Sequence, residues 1–115
     1  MKFTKKLRIL VDQDQVVKEI PELWLKGKET DPNHVQRRMQ QRAINFDMMK
    51  LAIAYGEVAF HSKAKTWTLL DKCLKDTPYS DLADKLRGLR LIALPKIQNQ
   101  IIYVTTVYWS YSLRY

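Results

Sequence analysis

Ile101-Ile-Tyr-Val-Thr-Thr-Val-Tyr108 is the clearest strand in the chain, and its reading decides the fold. Its apolar residues fall on both parities, as in a central strand covered by helices on one side. Residues 89–94 read as a second strand, joined to the first by a turn-like segment over 95–100. Before it, residues 57–61 and 66–70 are β-branched, aromatic and aliphatic, and residues 62–65 between them make a hairpin. Thr77-Pro-Tyr-Ser80 opens a short polar helix over about 80–85, and Gly88 ends it.

The first half reads as helical. Residues 12–25 carry apolar groups at Val16, Val17, Ile20, Leu23 and Trp24, a helical rhythm interrupted at Pro21. Asp31-Pro32 reads as an N-cap and first helical position for a helix running to about Arg42. Asn45 caps the next, which Tyr55-Gly56 closes. The fold class expected is α+β: N-terminal helices packed on one face of a roughly four-stranded, mainly antiparallel sheet. Residues 1–32 are read as a helical extension and residues 33–115 as the main domain.

The chain has 115 residues, 46% of them hydrophobic, enough for one modest core and too many for a disordered chain. Twenty Lys and Arg against twelve Asp and Glu leave a formal charge of +8, which attracts polyanions, nucleic acid first among them, or an acidic protein. The single cysteine, Cys73, forms no intrachain disulfide and reads as buried and inert. No apolar leader segment follows the basic start, and no run of about 18 apolar residues exists. A cytoplasmic protein with no membrane contact is the expectation.

His34-Val-Gln-Arg-Arg38-Met39-Gln-Gln-Arg42-Ala-Ile44 places His34, Arg38 and Arg42 in one row of a helix, since residues four apart are neighbours. Such a row suits a phosphate ligand, and it equally suits an ordinary solvated face. The pattern His34-x-x-x-Arg38-Met39-x-x-Arg42-x-Ile44, followed by Tyr55-Gly56, a strand pair and Val104-Thr-Thr-Val-Tyr108, resembles a small bacterial and phage family of unknown function. That family is similar to the RelE/ParE/BrnT-like toxins, whose fold is shared by metal-independent ribonucleases. The resemblance covers about residues 33–109; residues 71–87 depart from it, being longer and more acidic than a tight hairpin needs. It implies a toxin-type endoribonuclease held in check by an antitoxin.

Metal-independent RNA cleavage needs a base for the 2′-OH, cations for the phosphate and an acid for the leaving oxygen. His34 is the base candidate, and Arg38 and Arg42 are the phosphate holders, since guanidinium matches phosphate oxygens in pairs. Thr106 and Tyr108 alternate onto one strand face, offering a hydroxyl to the phosphate and a proton donor. The two histidines, His34 and His61, lie far apart and the acids lack ligand spacing, so neither a metal nor another cofactor is expected.

Residues 87–115 hold Arg87, Arg90, Lys96 and Arg114, no acid, and the aromatics Tyr103, Tyr108, Trp109, Tyr111 and Tyr115. Basic groups interleaved with aromatics suit single-stranded RNA, by backbone attraction and base stacking. Lys63 and Lys65 in the hairpin add phosphate contacts or are simply solvated. Each aromatic has a core alternative, Tyr103 and Trp109 above all. Two classes of function stand open: the endoribonuclease, or a non-catalytic module binding nucleic acid or protein on the same fold. A scaffold kept only for protein contacts is a third. Residues 1–32 are read as the carrier of an antitoxin or homodimer contact.

Overall fold

The computed structural model describes residues 2–61, 63–95, 99–110 and 112. Helices α1 (Phe3–Asp12) and α2 (Gln15–Lys18) lead into strand β1 (Glu22–Leu25); α3 (His34–Gln41) and α4 (Phe46–Tyr55) follow. The hairpin β2 (Glu57–His61) and β3 (Ala64–Thr68) comes next, then α5 (Asp71–Leu74), a 3-10 turn (Ser80–Leu82), α6 (Ala83–Leu86), β4 (Leu89–Ala93) and β5 (Ile101–Trp109). The five strands form one sheet in the order β1-β5-β4-β3-β2. β1 runs parallel to β5, and every other neighbour is antiparallel. The fold is α+β with five strands rather than four. None of the described helices is long and apolar enough to cross a membrane.

The fifth strand is the piece read as helix. Asp14 ends the first helical run by capping α2, its Oδ1 accepting from the N–H groups of Val16 (2.9 Å) and Val17 (3.4 Å). Pro21 then stops α2, and residues 22–25 extend alongside β5, pairing Leu23 with Ile102 and Trp24 with Tyr103. Four residues are too few for periodicity to tell strand from helix. The boundary read at residue 32 does not separate two cores: Leu7, Val11 and Val17 are buried in the same cluster as Met49, Leu51, Leu91 and Val107.

One face of the sheet packs under the helices. Trp67, Leu91 and Val107 form a row across β3, β4 and β5 on that face, and all three are buried. Met48 and Met49 are core fillers on α4. Cys73 is only half-buried, its thiol 3.8 Å from the Thr68 carbonyl oxygen.

β5 carries a bulge that re-phases it. Ala93 pairs with Val104, and Ile92 pairs with Thr106, leaving Thr105 unpaired in the ladder. The Thr105 hydroxyl donates to the Ile92 carbonyl at 3.1 Å and fixes the irregularity. Before the bulge Ile102 and Val104 face the core; after it Val107 does, and Thr106 and Tyr108 turn away. This is why the strand reads as apolar on both parities.

The end of α3 is a Schellman motif. Ile44 N–H donates to Met39 and Ala43 N–H to Gln40, with Met39 and Ile44 both buried. Ala43 occupies the left-handed position at φ 53°. Gly56 closes α4 for a different reason: its φ is −66°, but a Cβ there would lie 2.3 Å from the Ala52 carbonyl oxygen.

Candidate nucleic-acid interface

β1 is short, so it covers β5 only from Ile101 to Val104. Beyond that, α3 takes over the edge. The Arg42 guanidinium donates to the Val107 carbonyl at 2.5 Å, and the Trp109 indole donates to the Arg42 carbonyl at 2.8 Å. The first bond satisfies a strand carbonyl that an uncovered edge would leave to solvent, and the second satisfies a carbonyl at the C-terminal end of α3. Arg42 is thereby committed to holding α3 on the sheet, and Trp109 packs on the core side, as its core alternative requires.

His34 and Arg38 are engaged locally. Asn33, not Asp31, precedes α3 as its cap residue and makes no side-chain capping bond. Asp31 is drawn back by a backbone bridge with Lys28, under which Gly27 passes so close to Pro32 that a Cβ would lie 2.2 Å from its carbonyl oxygen. The Asp31 carboxylate then reaches Arg37 and stands 3.7 Å from His34 Nδ1. The bond from Arg37 holds the Asp31 carboxyl below the usual carboxylate range, and the charges of Arg37, His34 and Lys28 act the same way. Arg38 donates to Gln41 at 3.0 Å. Among the described residues neither His34 nor Arg38 bonds to Thr106 or Tyr108. The surroundings of His34 are therefore mixed in charge, where the sequence alone suggests a purely positive row.

The sheet face turned away from the core assembles a different group. Thr68, Arg90 and Tyr108 stand in register across β3, β4 and β5, with Thr66, Ile92 and Thr106 in the next row. Arg90 Nε donates to the Thr68 hydroxyl at 2.8 Å and Nη1 to the Tyr108 hydroxyl at 3.2 Å. Its guanidinium carbon lies 5.9 Å from the centre of the Tyr108 ring. Further along the same face Trp24 and Tyr103 meet edge to face at 6.1 Å, and Trp24 is 50% exposed, leaving ring surface open. This outer face thus carries a guanidinium, several hydroxyls and three aromatic rings.

The remaining cations named from sequence divide. Lys65 lies over the rings of Phe60 and Trp67, at 5.4 and 4.9 Å, on the core side of the sheet and so opposite Arg90. Lys63 is exposed in the hairpin turn. Arg87 is tied to Asp71 at 2.7 Å and Asp84 at 3.1 Å, so its charge is answered within the chain, by the acidic stretch of residues 71–87. Lys96, Tyr111, Arg114 and Tyr115 lie outside the described residues. Trp24 and Thr68 are the candidate-site residues that sequence reasoning missed: Trp24 because its strand was read as helix, Thr68 because its place beside Arg90 depends on strand register. Among the described residues no group of three or more His, Cys, Asp or Glu side chains converges as metal ligands would. No protein-family model, no curated protein and no solved structure matches the chain.

Proposed function

We propose that the protein binds single-stranded RNA on the outer face of its sheet. The observation that carries this reading is the row Thr68–Arg90–Tyr108 beside the Trp24–Tyr103 pair, on the sheet face opposite the core, where Thr68 is buried, Arg90, Tyr108 and Tyr103 are half-buried and Trp24 is exposed. Sequence-tolerant binding of single strands combines a cation for the backbone with aromatic rings on which bases stack. Arg90 is preorganised for a phosphate by two hydroxyl partners, the buried Thr68 and the half-buried Tyr108, and the Tyr108 hydroxyl can itself donate to a phosphate oxygen. The formal charge of +8 adds long-range attraction.

The test is fluorescence anisotropy with a labelled single-stranded RNA of mixed sequence across a salt series. The expected result is binding that weakens with salt and whose logarithmic slope falls by about 0.7 in Arg90→Ala, the value for one lost phosphate contact. Equal binding by Arg90→Ala and the unmodified chain overturns the reading.

A second reading is the metal-independent, toxin-type endoribonuclease, with an antitoxin as its partner. What favours it is the Tyr108 hydroxyl held 3.2 Å from the Arg90 guanidinium, a proton donor beside a phosphate holder. RNA cleavage that survives EDTA and falls about 10²-fold in Tyr108→Phe supports it. Cleavage lost in His34→Ala instead would return the base role to α3.

A further inference from the structure

We infer that the β2 edge pairs with the β2 edge of a second copy of this chain, making one ten-stranded sheet about a two-fold axis at Ala59. β2 is the outermost strand of the sheet, and every residue from Glu57 to His61 is exposed. Natural sheets blunt such an edge or cover it, and at the other end of this sheet β1 and α3 do so for β5. Within β2, Val58 is 45% and Phe60 69% exposed, an apolar pair left in water at an open edge.

The sequence of this strand is complementary to itself read backwards. In an antiparallel pair centred on Ala59, Glu57 meets the second copy's His61, Val58 meets Phe60, and Ala59 meets Ala59. Each side chain therefore finds an opposite partner on its own face: Glu57 and His61 on the outer face, Val58 and Phe60 on the core side. An isologous interface requires this kind of self-match.

The main chain agrees. Leu69 exchanges bonds with Leu89 and Gly88, so the odd-numbered residues of β3 turn their backbone groups towards β4. The even-numbered ones then face β2 and hold Glu57, Ala59 and His61 by the observed register. Val58 and Phe60 are left presenting N–H and C=O outwards, and these are the residues that the centred pairing makes bond to each other. Ala59 opposes its copy in the wider-spaced, non-hydrogen-bonded position, where Cα atoms approach to about 4.5 Å. A five-residue strand pair is a small interface, so the dimer is a weak one that appears with concentration. It requires nothing of the RNA-binding face.

Two measurements on the full chain test it. Sedimentation equilibrium is expected to give a mass that rises from monomer to dimer with concentration. Glu57→Lys removes the carboxylate that faces the second copy's His61 on both sides of the axis, along with its ion pair to Lys72, and is expected to raise the dissociation constant at least tenfold. Adding His61→Glu places a carboxylate opposite each introduced lysine and is expected to recover most of the loss. In a Cys73→Ala background, Ala59→Cys is expected to oxidise to a disulfide-linked dimer, while Val58→Cys, facing Phe60 of the second copy, is not. All four positions altered in β2 are exposed, and circular dichroism checks that each variant folds. A monomer at every concentration, no rescue by the charge swap, or equal crosslinking at 58 and 59 overturns the proposal.

Discussion

The buried hydroxyl of Tyr79 donates to Asp14 Oδ2 at 2.7 Å, across 65 residues of sequence. Tyr55, at the end of α4, donates to the same oxygen at 2.7 Å, and the two rings lie 5.7 Å apart. The other oxygen of Asp14 caps α2. One carboxylate therefore joins the α1–α2 corner, α4 and the segment before the 3-10 turn. Asp14→Ala is expected to destabilise the protein by about 2–4 kcal/mol, from a lost cap and a stranded buried hydroxyl. Urea unfolding measures it, and a loss under 1 kcal/mol would mean that the segment around Tyr79 is held by packing alone.

The same cluster gives stability a pH dependence with two arms. Burial pushes the Asp14 carboxyl up, but bonds from Tyr79, Tyr55 and the N–H groups of Val17 and Val16 outweigh it and hold it below the ordinary value. Its stabilisation is complete above the unfolded value of about 3.9 and fades as pH falls through the lowered one. Tyr55 is pushed up to about 12 by burial, then by its bond to Asp14 and that charge, and Tyr79 is raised by the same causes. Their contribution is whole below about pH 10 and is lost as pH climbs through the raised values. Urea midpoints recorded against pH should fall on both sides, and the alkaline arm should flatten in the Tyr55→Phe, Tyr79→Phe double variant.

Arg42→Ala should cost about 1.5–3 kcal/mol of folding stability, the usual worth of a hydrogen bond from a charged group. Hydrogen exchange near Val107 and Trp109 should rise with it. An Arg42 variant that keeps full stability while losing RNA binding or cleavage would place Arg42 back among the phosphate holders.

Ala43→Gly should stabilise the chain by about 0.5–1 kcal/mol. The left-handed conformation strains an L side chain by about 1–2 kcal/mol, and glycine returns part of that as unfolded-state entropy. Thermal unfolding decides it; a lower melting temperature would show that the Ala43 methyl contributes contacts worth more than the strain.

Trp24→Ala should weaken RNA binding by about 1–3 kcal/mol, the range for one base stacked on one ring. Lys65→Ala, on the opposite side of the sheet, should leave binding near its starting value. The reverse ranking would move the interface to the core-side edge around Phe60.

Fold class, the hairpin, β4, β5 and α4 were legible because each has a period or a stop signal of its own. Residues 22–25 were not, since a four-residue strand is defined by the neighbour it joins, and that neighbour lies about 80 residues away. The pairing of Thr106 with Tyr108 on one face was legible from alternation, and the structure places them so. What alternation could not supply was Arg90 and Thr68 as their partners, which depends on register. The row His34, Arg38, Arg42 exists on α3 as expected, but a row says nothing of what stands beside it: Asp31 comes from the preceding turn and Val107 from the far end of the chain.

Thr105 has a consequence for how this surface is inherited. The residues on either side of it keep opposite phase only because one extra residue stands between them. Deleting its single codon would restore unbroken alternation and leave Val107 inward and Tyr108 outward, because Val104, Thr106, Val107 and Tyr108 already pair with four consecutive residues of β4. Drawing Thr105 into the ladder opposite Ile92 would instead slip the rest of β5 by one residue, so the face is tolerant of losing the extra residue and intolerant of pairing it.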